Sequence, residues 1–121
     1  MIGIGVDLVD VSRFRRSLER TPSLRDRLFR PDGPAYAAAP LDPAVRYAVR
    51  FAAKEATLKA LGLGLGGVAL YDIEVVRHGL GPPSLELHGS ASEVALAAGV
   101  ERWLVTLSHT DHLAQATVVA L

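Results

Sequence analysis

Apolar and polar residues alternate at the start of the chain. Ile2, Ile4, Val6 and Leu8 fall on one side, and Gly3, Gly5, Asp7 and Val9 on the other. That period of two predicts a strand over Met1–Val11. The period then lengthens. Phe14 and Leu18, four apart, are the inward pair of a helix over Ser12–Arg20, since residues at that spacing share a helix face. Thr21 and Pro22 read as N-cap and first residue of a short second helix carrying Leu24, Leu28 and Phe29, and Pro31-Asp32-Gly33-Pro34 breaks it. Four of the seven prolines lie within 31–44, which predicts a loop, expected to be the mobile segment, with one helical turn at Ala35 to Ala39. A long helix then starts at Asp42 or Pro43, and Gly62 stops it by taking the left-handed conformation. Asp72–Arg77 and Ser84–His88 alternate on either side of His78-Gly79-Leu80-Gly81-Pro82-Pro83, a hairpin. Ser90-Ala91-Ser92-Glu93 has the form of a capping box opening a helix to Gly99. Trp103–Ser108 and Ala114–Ala120 complete the strands. The order predicts an α+β fold, a largely antiparallel sheet of about five strands packed on a long central helix.

The central helix breaks the usual amphipathic rule. At about 100° per residue, Tyr47, Phe51 and Leu58 share one face while Val45, Val49, Ala56 and Ala60 occupy the other. A helix apolar nearly all round is buried. It nevertheless carries Arg46, Arg50 and Lys54 along one stripe and Glu55 with Lys59 along another, and charges are rarely buried unless paired or bound to something. Glu55 and Lys59 are either an ordinary i, i+4 ion pair or part of a site.

Composition sharpens that choice. The chain has eleven arginines and two lysines, both in this helix. Where arginine is the default cation, lysine suits a compact point charge such as a phosphate oxygen needs. The 121 residues suffice for one domain, 1–121, and not for two. There is no cysteine, so disulfides, thiolate metal sites and cysteine nucleophiles are excluded, in keeping with a reducing cytoplasm. Asp7 interrupts the N-terminal apolar run, which lacks a basic leader and so is not a signal peptide. No apolar run is long enough to span a membrane. Formal net charge is zero, yet residues 13–30 hold seven arginines against Glu19 and Asp26. This segment is either a solvated basic face or a patch that steers an acidic partner.

Three polar sets could do chemistry: Asp7 in the first strand, Lys54/Glu55/Lys59 in the central helix, and Ser108-His109-Thr110 at the end of the fourth strand. Aspartate is disfavoured within a strand and needs a reason. It either caps the next helix, where Asp10 and Ser12 are better placed, or serves a site. Gly3 and Gly5 leave room for a backbone or ligand on its face. Two hard carboxylates from different elements suit Mg²⁺, and flanking lysines and a histidine suit a polyphosphate. Together they describe displacement at phosphorus, where the protein positions groups and neutralises charge. Gly62-Leu63-Gly64-Leu65-Gly66-Gly67 follows a helix rather than preceding one, so it is neither a Rossmann nor a P-loop motif. It is a helix stop and connector, or a set of backbone N–H groups near a phosphate. A Ser108/His109/Asp111/His112 triad is rejected, because no strand–turn–helix elbow surrounds the serine. His78 and His88 read as surface histidines.

Ile2-Gly3-Ile4-Gly5-Val6-Asp7, Arg50-Phe51-Ala52-Ala53-Lys54-Glu55-Ala56 and Leu107-Ser108-His109-Thr110, at these separations, resemble the short, single-domain 4'-phosphopantetheinyl transferases of the holo-acyl-carrier-protein synthase type. The resemblance implies transfer of phosphopantetheine from coenzyme A to a serine of an acyl carrier protein, releasing adenosine 3',5'-bisphosphate. It makes Asp7 and Glu55 the Mg²⁺ ligands, with Glu55 helping to take the serine proton and Lys59 neutralising the pyrophosphate. It puts Arg50, Lys54, Gly62, Ser108, His109 and Thr110 near the nucleotide and its phosphates. It also implies a homotrimer with sites between subunits, and an acidic carrier protein docking on Arg13, Arg16, Arg20 and Arg25. The chain departs from the family pattern at Leu63, at Val49 and between Pro31 and Pro43. The competing readings are a small arginine-rich nucleic-acid-binding protein and a catalytically silent oligomerisation module.

Overall fold

The computed structural model describes residues 1–31, 42–79 and 81–121. The helical turn expected at Ala35 to Ala39, and most of the loop around it, fall outside them. Strand β1 (Gly3–Asp10) leads into helix α1 (Val11–Arg20) and the short α2 (Ser23–Leu28). Helix α3 (Pro43–Ala60) is the long central element. A 3₁₀ turn (Leu70–Asp72), β2 (Ile73–Arg77), β3 (Pro83–Leu87), α4 (Gly89–Ala97), β4 (Trp103–His109) and β5 (Leu113–Ala120) follow.

All strand pairs among the described residues are antiparallel, but the five strands form two sheets rather than one. β5 lies between β1 and β4, and β2 pairs with β3. The strand at the centre of the first sheet is last in sequence, which alternation within single strands does not reveal.

Local signals account for the helix ends. Asp10, not Ser12, caps α1 by accepting from Arg13 N–H at 2.9 Å. Asp42 caps α3 by accepting from Ala44 N–H at 2.9 Å. The C-terminus of α3 is a Schellman closure: Leu63 N–H donates to Leu58 O, Gly62 N–H donates to Lys59 O, and Gly62 takes φ 73°. The capping box expected at Ser90–Glu93 does not form. The helix begins two residues earlier, at Gly89, with His88 instead of Ser90 in the cap position and no side-chain cap bond. His88 N–H is bonded to Asp72 O at 2.8 Å, so the chain enters the helix directly from β3 and Ser90 is already inside the first turn.

The contact that organises the molecule is β1 against α3. A Cβ on Gly3 would lie 1.8 Å from Ala60 O, and one on Gly5 would lie 1.9 Å from Ala56 O. The room these glycines leave is therefore filled by the helix backbone. Two strand residues advance about 6.8 Å and four helix residues about 6 Å, so Gly3/Ala60 and Gly5/Ala56 run in step. One further step along β1 brings Asp7 level with the turn that carries Glu55. The same pairing turns the other face of β1 outward, leaving Ile2, Ile4, Val6 and Leu8 exposed. Around α3, Ala52, Ala53, Ala56 and Ala60 pack against Ala116, Val118 and Ala120. Val45, Ala48 and Val49 pack with Val11, Phe14 and Phe29. Leu58 packs with Val68, Ile73 and Ala91. Burial on all sides is what its sequence predicts.

Candidate active site

Asp7 projects from β1 towards α3, with its side chain 17% exposed. Lys59 reaches back to it along the helix: its Nζ donates to Asp7 Oδ1 at 3.1 Å and to Val6 O at 2.9 Å. Lys59 thus bridges helix to strand instead of closing an i, i+4 pair with Glu55. Asp7 and Glu55 line one cleft of about 380 Å³. Glu55 titrates above the usual carboxylate range, first because it is partly desolvated and then because the Asp7 charge repels it, with Lys59 opposing. Two carboxylates that repel each other in one half-buried cleft are a donor set a hard divalent cation would relieve.

The rest of the cleft divides by character. Phe14, Leu24, Leu28 and Phe51 form an apolar wall, and Asp10, Arg13 and Ser17 form a polar rim. Phe14 and Phe51 meet edge to face, 5.0 Å between centroids. Sequence reasoning did not assign this wall to the site. The signal was available, since Phe51 lies four residues before Glu55 on the same helix face. Arg13, Arg16 and Arg20 are exposed, and their spacing puts them on one face of α1, so a basic row runs away from the carboxylates. Arg25 is exposed on α2, where it helps line a separate groove with Leu18, Pro22 and Tyr47. Arg15 and Arg30 are engaged elsewhere, with Asp42 at 2.9 Å and Asp72 at 3.2 Å. Phe14 and Phe29, the aromatic residues of this arginine-rich segment, are buried and cannot act as the stacking platforms that nucleic-acid binding uses.

Other expected site residues do not line this cleft. Lys54 is 2% exposed. Its Nζ donates to Leu70 O at 2.8 Å and to Ile73 O, and sits 5.3 Å from the centre of the Phe29 ring. Burial, and then the neighbouring Arg50 charge, lower its pKa to about 7. The Leu70 and Ile73 carbonyls take up two of its N–H donors. Lys54 therefore works inside this chain, clamping the 3₁₀ turn to α3. Arg50 is also buried, its guanidinium over the rings of Tyr47 and Phe29 at 4.8 and 5.0 Å. Ser108 and His109 are exposed at the end of β4. His109 is level with Ala114 and, through it, with Val9, which puts its backbone two strands, about 10 Å, from β1. Thr110 Oγ1 accepts from the N–H groups of His112 and Leu113, at 3.1 and 3.0 Å, and holds the turn. Gly62 closes α3 three residues beyond Lys59.

A family model described as the 4'-phosphopantetheinyl transferase superfamily matches residues 3–117. The chain belongs to the 4'-phosphopantetheinyl transferase superfamily. Among its curated relatives, the holo-[acyl-carrier-protein] synthase of Clavibacter michiganensis is 52% identical over 117 residues, covering 97% of this chain and 92% of the relative. The solved holo-[acyl-carrier-protein] synthase of Neisseria meningitidis is 30% identical with a TM-score of 0.88, covering 100% of this chain and 98% of that one. That of Helicobacter pylori, solved in complex with coenzyme A, is 25% identical with a TM-score of 0.79, covering 98% and 99%. This member of the transferase superfamily is an enzyme of the holo-[acyl-carrier-protein] synthase kind, and its α+β architecture is the one those structures share. No helix among its described residues is long and apolar enough to cross a membrane.

Proposed function

We propose that this chain, as a single transferase domain over 1–121 acting in the cytoplasm, moves 4'-phosphopantetheine from coenzyme A to a serine of an acidic apo acyl carrier protein in fatty acid or polyketide biosynthesis. The observation that carries this reading is the shared cleft: Asp7 from β1 and Glu55 from α3, with Lys59 beside them and Arg13 on the rim. Asp7 and Glu55 would hold Mg²⁺, which, when bound, neutralises charge on the pyrophosphate.

The remaining work falls to side chains. Lys59, already against Asp7, offers its ammonium to the phosphate oxygens, and Gly62 brings backbone close to the same group. Glu55, whose pKa is raised, is suited to take the serine proton directly or through water. The serine oxygen bonds to the phosphorus bearing the pantetheine arm, and the bond from that phosphorus to the oxygen of adenosine 3',5'-bisphosphate breaks. The Glu55 proton then returns to solvent. Arg13, Arg16, Arg20 and Arg25 attract the acidic carrier, and the apolar wall of the cleft gives it a desolvated seat. Lys54 and Arg50 contribute through the packing they hold in place.

We further infer that the working form is a homotrimer. The outer face of the three-stranded sheet carries Ile4 and Leu8, 58% and 63% exposed, with Ile2, Val6 and Leu104 beside them. An apolar face of this kind marks an interaction surface, and a neighbouring copy would bring its own Ser108, His109 and Thr110 to the nucleotide held by Lys59.

The test is intact-mass analysis of candidate apo-carriers incubated with the protein, coenzyme A and Mg²⁺. A gain of roughly 340 Da, the mass of the phosphopantetheine arm, is the expected result. No gain on any carrier, with coenzyme A consumed or not, rejects the reading.

A further inference from the structure

A second group of metal-binding side chains lies on the β2–β3 hairpin. Glu74 on β2 is the register partner of Glu86 on β3, and His88 follows Glu86 by two residues, so all three project from one face. Like charges directly opposed across a strand pair are unfavourable, and here an imidazole faces them. One ligand atom from each residue lies within 4.8 Å of the other two. His88 Nε2 and Glu74 Oε1 are 2.9 Å apart. That contact is a hydrogen bond, and a bound ion would displace its proton and let the pair open to the roughly 3.4 Å that separates two ligands held at about 2.1 Å by one tetrahedral ion. Glu86 is exposed and can close the remainder by rotating. The backbone beneath is fixed: Ile73 pairs with Leu87, and His88 N–H donates to Asp72 O at 2.8 Å.

We propose that Glu74, Glu86 and His88 form a divalent transition-metal site of their own, taking Zn²⁺ with water in the remaining position. The imidazole sets its preference. Mg²⁺ favours an all-oxygen shell, as Asp7 and Glu55 offer, whereas zinc accepts mixed nitrogen and carboxylate donors. The two sites therefore select different ions. Zinc here cancels the Glu74–Glu86 repulsion and ties both strands of the hairpin to the start of α4, so it stabilises the fold by mass action. This site does not depend on the transferase reading.

The experiment is a calorimetric titration of Zn²⁺ into the full, untagged chain with Mg²⁺ in excess to occupy the oxygen-only site. Saturable binding of one zinc per chain is expected, weakened about tenfold or more by His88→Ala and by Glu86→Gln. The exposed Glu86 side chain makes Glu86→Gln the variant that answers even if His88→Ala folds poorly. Absence of saturable binding overturns the proposal. So does an isotherm that neither substitution changes, since the zinc would then sit on other histidines.

Discussion

Gly5 has a hydrogen where any other residue would place a carbon against the Ala56 carbonyl, and this close approach brings Asp7 to Glu55. The two carboxylates cost stability for the sake of a site. Because the Glu55 pKa is raised in the folded protein, the fold holds that proton more tightly than the unfolded chain does. Stability therefore falls as pH rises from the ordinary glutamate range through the raised value. Glu55→Gln cannot ionise. Without added metal it should be more stable than the parent in denaturant titrations at about pH 7 and nearly equal at about pH 4, while losing carrier modification altogether. A variant less stable at neutral pH would contradict this account of the cleft.

Helix α3 is the element through which these effects meet, and Lys54 shows how its charges are used. Methionine matches the length of lysine but donates no hydrogen bond, so Lys54→Met should leave the Leu70 and Ile73 carbonyls unsatisfied, at a cost of roughly 1–3 kcal/mol for each. The lowered Lys54 pKa, about 7 against 10.5, gives the pH signature. Between those values the unfolded chain binds the proton and the folded chain does not, so stability rises with pH across that window and levels off below it. The difference in unfolding free energy between parent and Lys54→Met should grow from pH 7 to pH 10. A flat difference would mean that Lys54 stays charged. In the sequence, both lysines read as phosphate contacts because they are the two lysines among eleven arginines and lie five residues apart in one helix. Composition could not show that Lys54 turns inward and Lys59 outward, since that depends on which flank of α3 the 3₁₀ turn covers. The motifs flanking Asp7 and Glu55 were legible because their spacing is local. The apolar wall was less so, because Leu24 and Leu28 reach the cleft only through the packing of α2.

Across the whole molecule, alternation identified β1 as a strand but not which face is inside. The sequence shows four apolar residues on one side, and the structure buries the glycine side instead, because only glycines let α3 approach. What remains outside is an apolar face on β1, β4 and β5. Ile4→Glu should convert the proposed trimer to monomers in light scattering and abolish activity while leaving the monomer's helical signal intact. A trimer that persists would remove this face from the interface. The proposed function itself rests on two carboxylates from two elements gripping one divalent ion. Mn²⁺ binding in the presence of coenzyme A, followed by paramagnetic resonance, measures this directly. The parent should bind one ion per site, and Asp7→Asn and Glu55→Gln should each weaken it by about tenfold or more. Unchanged affinity in either variant would contradict a shared site.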